Sequence, residues 1–171
     1  MKKIIYSPGE PSGIGPDLII KLSSSNLWED LKIPVVSIGD PKLFIDRAAV
    51  LKKKIQIVEL ESLNEVSKNT RGLLQIIKVT KCSNTRPGKL YKSNAQYVLN
   101  NLTYSIEQTM QNEETALVTG PLSKENIISI DKLFIGHTEY IKKITKSKDV
   151  LMMLASDQLR VALATTHIPL K

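Results

Sequence analysis

Apolar residues in this chain arrive in short runs, and most runs are followed by a longer stretch whose apolar positions recur at helical spacing. Residues 3–7, 34–38, 55–58, 73–79 and 115–119 are runs of the length and β-branched content expected of strands. Helical patterns fall between them at 17–24, 40–53 and 93–111. Parallel neighbours need a crossover of a dozen or more residues, and a helix supplies it. The alternation therefore predicts an α/β fold: a three-layer α/β/α arrangement with a mostly parallel sheet covered by helices on both faces. In such folds ligands collect at the carboxyl ends of the strands.

Capping residues sharpen this reading. Pro16 suits the first turn of the first helix, and Asp40-Pro41 combines an N-cap with a proline at the first helical position. Ser93 and Gln96 have the spacing of a capping box for a long helix through residue 111, with Val98, Leu102, Ile106 and Met110 on one face. Another helix is expected near Ser123, and a further one at 138–146 with Thr138 as N-cap. Residues 80–91, with Asn84, Pro87 and Gly88, read as an ordered loop. The runs 150–154 and 161–164, joined through Ser156-Asp157-Gln158, predict a hairpin. No covering helix follows the second of these runs, which predicts exposed apolar surface.

Composition narrows the class. With 171 residues, 42% of them hydrophobic, the chain can bury a core without disulfides or structural metal. The single cysteine, Cys82, forbids a disulfide framework, and no apolar run approaches the ~20 residues of a membrane span. A reducing, cytoplasmic setting without membrane attachment is the expectation. The formal net charge of +7 comes mostly from scattered lysines, with arginine only at 47, 71, 86 and 160, and aromatic residues are 5%. Nucleic-acid readers concentrate arginine and interleave aromatics, so no nucleic-acid partner is expected, whereas an anionic small molecule suits the positive field.

Three strings sit where strands give way to helices. Gly9-Glu10-Pro11-Ser12-Gly13-Ile14-Gly15-Pro16 lacks both the G-x-G-x-x-G spacing and the Lys-Ser/Thr ending of a P-loop, so a tight turn and a ligand loop are both open. Thr119-Gly120-Pro121-Leu122-Ser123-Lys124 gathers a hydroxyl, a helix start and an ammonium. It suits phosphate or carboxylate, or else is a turn capped by Ser123 with Lys124 solvated. In Gly136-His137-Thr138-Glu139 a structural role accounts for every residue except His137. The other histidine, His167, follows the last apolar run. The ends of the strands near Ser7 and Thr119 are expected to share one cleft with His137 and His167.

These strings, with Pro87-Gly88-Lys89-Leu90 and Ala164-Thr165-Thr166-His167-Ile168-Pro169-Leu170, occur in an order that resembles the amino-terminal part of the 4-hydroxythreonine-4-phosphate dehydrogenase (PdxA) family. The resemblance covers essentially the whole chain. It implies an isocitrate/isopropylmalate dehydrogenase-like architecture, apparently truncated, with residues 1–171 as the amino-terminal part and the carboxyl-terminal portion absent. It also implies a homodimer that oxidises and decarboxylates 4-phosphohydroxy-L-threonine with NAD or NADP, yielding 3-amino-2-oxopropyl phosphate for pyridoxal phosphate synthesis. His137 and Thr138 then bind substrate. His167 is one of three histidine ligands of a divalent metal (Zn, Mg or Co), which would lower the pKa of the substrate hydroxyl. The other two ligands and the phosphate-gripping basic residues have no counterpart here, so this chain alone is expected to be inactive. Two alternatives stay open: a related dehydrogenase of 4-phosphothreonate or 4-phosphoerythronate, and a non-catalytic α/β module.

Overall fold

The computed structural model describes residues 2–165. Its main sheet has five strands: β1 (Lys3–Ser7), β2 (Val35–Ile38), β3 (Gln56–Leu60), β4 (Leu73–Ile77) and β5 (Thr115–Thr119). They lie in the order β3-β4-β2-β1-β5, every neighbouring pair parallel. This is the predicted α/β class, and the strand boundaries move by no more than two residues at either end.

Alternation along the strands divides the core into two layers. Tyr6, Val35, Leu74 and Ile76 pack with Ile19 and Ile20 of α1 (Gly15–Ser23), Trp28 of α2 (Leu27–Asp30) and Leu43 and Phe44 of α3 (Pro41–Val50). The opposite residues, Ile5, Val36, Ile38 and Ile77, pack with Leu60, Leu63 and Val66, and Tyr104 of α4 (Ala95–Gln111) closes against them. All four residues of β2 are buried, as expected of an interior parallel strand flanked by helices on both faces. The edge strand β5 instead alternates half-buried and exposed positions.

Asp40 caps α3 as expected, its carboxylate accepting from the Lys42 N–H at 3.1 Å. The Ser93–Gln96 capping box does not form. A 3₁₀ turn at Lys92–Asn94 carries the chain into α4, and the helix starts at Ala95 behind Asn94, which makes no side-chain cap. Asn94 is occupied elsewhere: its Oδ1 accepts from the Ser83 N–H at 2.8 Å, pinning the loop that precedes the helix. Val98, Leu102 and Ile106 are buried as the periodicity requires, whereas Met110, in the last turn of the helix, is 55% exposed.

After β5 come α5 (Lys124–Ile128), α6 (His137–Thr145) and an antiparallel hairpin of β6 (Met153–Ala155) and β7 (Arg160–Ala162). The hairpin is the predicted one, with shorter arms. Both strands are exposed along their whole length, and Leu151, Met153, Leu154 and Val161 carry the expected open apolar surface. No helix among the described residues is long and apolar enough to cross a membrane.

Candidate active site

The glycine-rich string after β1 turns out to be a packing device. A Cβ on Gly9 would lie 2.2 Å from the Pro121 carbonyl oxygen, and one on Gly120 would lie 2.3 Å from the carbonyl oxygen of Pro8. Gly15 faces the same Pro8 oxygen at 1.8 Å by the same construction. The β1–α1 and β5–α5 loops therefore interlock backbone against backbone, at a spacing that no side chain permits. Two hydrogen bonds seal the contact: Glu10 N–H to Pro121 O at 2.9 Å and Gly120 N–H to Ser7 O at 2.7 Å. Arg47, buried in α3, donates to Pro11 O at 2.8 Å, Gly13 O at 3.1 Å and Asp17 Oδ1 at 2.6 Å. The turn reading thus holds for this string, which lines no part of the cavity around His137.

The interlock fixes α5. Ser123 caps that helix by accepting from the Asn126 N–H at 3.2 Å, and Asn126 Nδ2 donates to buried Glu10 and to Tyr91 O. Lys124, the first residue of α5, projects from this anchored turn into a cavity of about 480 Å³. Gly136, His137, Thr138 and Glu139 form another wall, and Leu163, Ala164 and Thr165 a third. The structure therefore brings together Lys124, His137 and Thr138. His167 lies outside the described residues, two positions beyond Thr165.

Gly136, not Thr138, is the N-cap of α6, and the helix begins at His137. The cap lies two residues before the predicted Thr138 because the chain at Gly136 is fully extended and the helix already begins at His137. No side chain caps this helix, and its first backbone bond is Tyr140 N–H to Gly136 O at 3.1 Å. The N–H groups of the first turn, at His137 and Thr138, are thus presented beside the cavity, where an anion would satisfy them. Burial lowers the His137 pKa, and the positive charge of Lys124 lowers it further, so the imidazole is neutral at physiological pH.

A second cavity of about 430 Å³ lies between the start of α3 and the loop holding Cys82 and Arg86. Its acid, Asp40, is occupied by the Lys42 and Cys82 N–H groups. Burial, with the nearby charges of Asp40 and Glu10, pushes the Cys82 thiol up to about 12, so it is no nucleophile at neutral pH.

Among the described residues no group of three or more His, Cys, Asp or Glu converges as a metal site. The described part of the cavity offers His137 and Glu139 as donors, which is fewer than a catalytic metal needs. Lys124 was visible in sequence only as part of its motif. What singles it out in the structure is the cavity that it shares with His137.

Comparison with known proteins agrees with this architecture. A family model described as pyridoxal phosphate biosynthetic protein PdxA matches residues 30–171. The 4-hydroxythreonine-4-phosphate dehydrogenase of Citrobacter koseri is 36% identical over 171 residues, 100% of this chain and 51% of that protein. The protein of the same name from Yersinia pestis is 39% identical over 168 residues, 98% of this chain and 50% of its own length. The crystal structure of 4-hydroxythreonine-4-phosphate dehydrogenase from Klebsiella pneumoniae superposes with a TM-score of 0.86 at 26% identity, over 99% of this chain and 51% of that one. A Burkholderia phymatum structure of the same name gives 0.88 at 24% identity, over 99% and 51%, and supports the fold. The chain spans about half the length of the curated relatives it matches. With the family model covering most of its residues and the fold agreeing throughout, the chain belongs to the PdxA family.

Proposed function

We propose that this chain forms the amino-terminal part of an NAD- or NADP-dependent 4-hydroxythreonine-4-phosphate dehydrogenase, acting in pyridoxal phosphate synthesis as a homodimer. The observation that carries the reading is the cavity shared by His137, Thr138 and Lys124, because it offers a phosphorylated substrate neutral donors, a hydroxyl and a cation in one place. In the proposed reaction the carbon bearing the secondary hydroxyl of 4-phosphohydroxy-L-threonine gives up a hydride, which a bound nicotinamide would accept, and the hydroxyl gives its proton to a base. The β-keto acid so formed loses carbon dioxide to leave 3-amino-2-oxopropyl phosphate.

Residues of this chain bind and orient in that scheme. The imidazole of His137 donates one hydrogen bond while neutral, and Thr138 adds a hydroxyl. A divalent metal, when bound, would polarise the substrate hydroxyl. His167 is proposed as one of its ligands on the family resemblance, and the described residues do not complete the set.

The test is a nicotinamide-reduction assay with 4-phosphohydroxy-L-threonine. This chain is assayed alone and with the separately expressed carboxyl-terminal half of the Klebsiella pneumoniae relative. Reduction coupled to carbon dioxide release in the mixture, lost on His167→Ala together with metal binding, supports the reading. His137→Ala should raise KM while leaving metal affinity near that of the parent. No turnover by any combination, with both halves folded, overturns it.

A further inference from the structure

One face of β5 is left bare. The register Ile4↔Ala116 and Tyr6↔Val118 puts Ala116 and Val118 on the face of the sheet that carries Ile4, Tyr6 and α1, and both are exposed there. Leu117 faces the other way and packs in the layer that Tyr104 of α4 closes. The result is an apolar groove of about 330 Å³ between α1 and β5, lined by Ile4, Tyr6, Leu18, Leu22, Leu31 and Val118. Parallel strands are ordinarily covered on both faces, yet α5, which follows β5, packs against α4 instead. β5 also ends the sheet, with no described strand beyond it. Edge strands are normally blunted by charge, proline or a bulge, and Thr115-Ala116-Leu117-Val118-Thr119 has neither charge nor proline. Lys3 N–H donates to Glu114 O and Gly120 N–H to Ser7 O. By the two-residue repeat of the strand, Ala116 and Val118 turn their N–H groups toward β1, while Leu117 and Thr119 turn theirs to the open edge.

We propose that β5 and the groove beside it form the docking surface for the carboxyl-terminal half of a PdxA-family protein, which adds a strand to the open edge and lays apolar side chains in the groove. The inference rests on the functional reading above and adds to it the surface through which the two halves meet. The Klebsiella pneumoniae structure superposes over 99% of this chain but only 51% of its own, so it carries about as many residues again beside this fold. A unit of that size buries edge and groove together. A second copy of this chain is the competing occupant, but pairing two β5 edges would only extend the sheet and would leave the groove open. The other exposed apolar surface, the hairpin of β6 and β7, belongs to a separate two-stranded sheet. Thr119, Gly120 and Pro121 line the end of the groove and lead into α5, so docking there also steadies the segment that carries Lys124 into the cavity around His137.

The test combines copurification with amide hydrogen exchange. This chain, tagged, is coexpressed with the carboxyl-terminal half of the Klebsiella pneumoniae relative, and exchange is followed at Leu117 and Thr119 in the chain alone and in the complex. The halves should copurify, and both amides should slow at least about tenfold in the complex. Leu18→Lys or Val118→Lys should weaken association at least about tenfold, the worth of one buried aliphatic side chain. Each should keep the parent's urea midpoint in this chain alone, where both positions are half-exposed. Ile45→Lys, at an exposed apolar position on α3 outside the groove, should associate like the parent. If the carboxyl-terminal half does not fold alone, exchange and urea midpoints are measured on the two halves joined as one chain, where Leu18→Lys and Val118→Lys should now lower the midpoint and Ile45→Lys should not. Parent-like behaviour of both groove variants, unchanged exchange at Leu117 and Thr119, or no association with a folded partner half overturns the inference. Protection of these amides that grows with the concentration of this chain alone overturns it in favour of a second copy. Substrate turnover by the joined chain leaves the functional reading standing in each case.

Discussion

Asn126 Nδ2 donates to Glu10 Oε2 at 3.1 Å, joining residues 116 positions apart in the chain. The carboxylate is 4% exposed, and its other oxygen accepts from the Ser12 N–H at 3.1 Å. Through this pair the loop after β1 holds the helix that carries Lys124, so a contact outside the cavity fixes the geometry inside it.

Glu10→Ala should therefore lower stability by about 1–3 kcal/mol, because it strips acceptors from two buried N–H donors. Asn126 keeps its bond to Tyr91 O, which limits the loss. Glu10→Gln retains one carbonyl acceptor and should cost less. Urea denaturation of the two variants checks the order, and equal midpoints would show that the carboxylate is not what holds the loops.

Arg47 makes a second clamp, this one between α3 and the β1–α1 loop. Its side chain is 4% exposed and serves the Pro11 and Gly13 carbonyls and the Asp17 carboxylate at once. Arg47→Met keeps much of the volume but leaves those acceptors unsatisfied. A loss of about 3–5 kcal/mol is expected, as when one member of a buried pair is removed. Thermal or urea unfolding measures it, and a change under about 1 kcal/mol would mean that water replaces the guanidinium without penalty.

The glycines should separate into two kinds. Gly120→Ala drives a Cβ to within 2.3 Å of a backbone oxygen, so the interlocked loops must move apart and stability should fall steeply. Gly136→Ala meets only side-chain atoms, at 3.4 Å and beyond, which is ordinary contact, and should fold normally. Circular dichroism melts distinguish the two. Normal melting of Gly120→Ala would contradict the interlock.

Strand runs and proline-marked helix starts were enough to read the sheet from sequence, because short β-branched runs such as 34–38, bounded by turn residues, suit a buried interior strand. The interlock of Gly9 with Gly120 was not readable, since it is a contact between loops more than a hundred residues apart and glycines mark a turn and a ligand loop alike. The capping box at Ser93 failed for a related reason. Asn94 is held by Ser83 across the loop, and that tertiary bond decides where the helix begins. His137 could be singled out in sequence as the residue that no local role explains. Lys124 could not, because an exposed lysine after an N-cap looks the same whether or not a cavity faces it.

Residues 151–161 hold an apolar surface open to solvent, with Leu151 at 59%, Leu154 at 62% and Leu159 at 64% exposure. Surface of this kind favours association. The isolated chain should bind a hydrophobic dye and elute with an apparent mass that rises with concentration, and Leu154→Lys should reduce both. A monomer that ignores the dye would mean that the hairpin is covered in solution.

His137 gives the stability of the chain a pH dependence whose sign follows from its surroundings. Burial and the Lys124 charge both depress its pKa below the ordinary imidazole value of about 6.5, so the folded state binds fewer protons than the unfolded state near that pH. Stability linked to this residue is fully present above about 6.5 and is lost as pH falls through the depressed folded value. The parent should thus lose more stability between about pH 8 and pH 5 than His137→Gln, which has no proton to take up. Lys124→Met should fall between them, because it removes the charge and leaves the burial. Urea midpoints for the three proteins across that range measure the effect. Parallel profiles for the parent and His137→Gln would show that the imidazole titrates as it does in water.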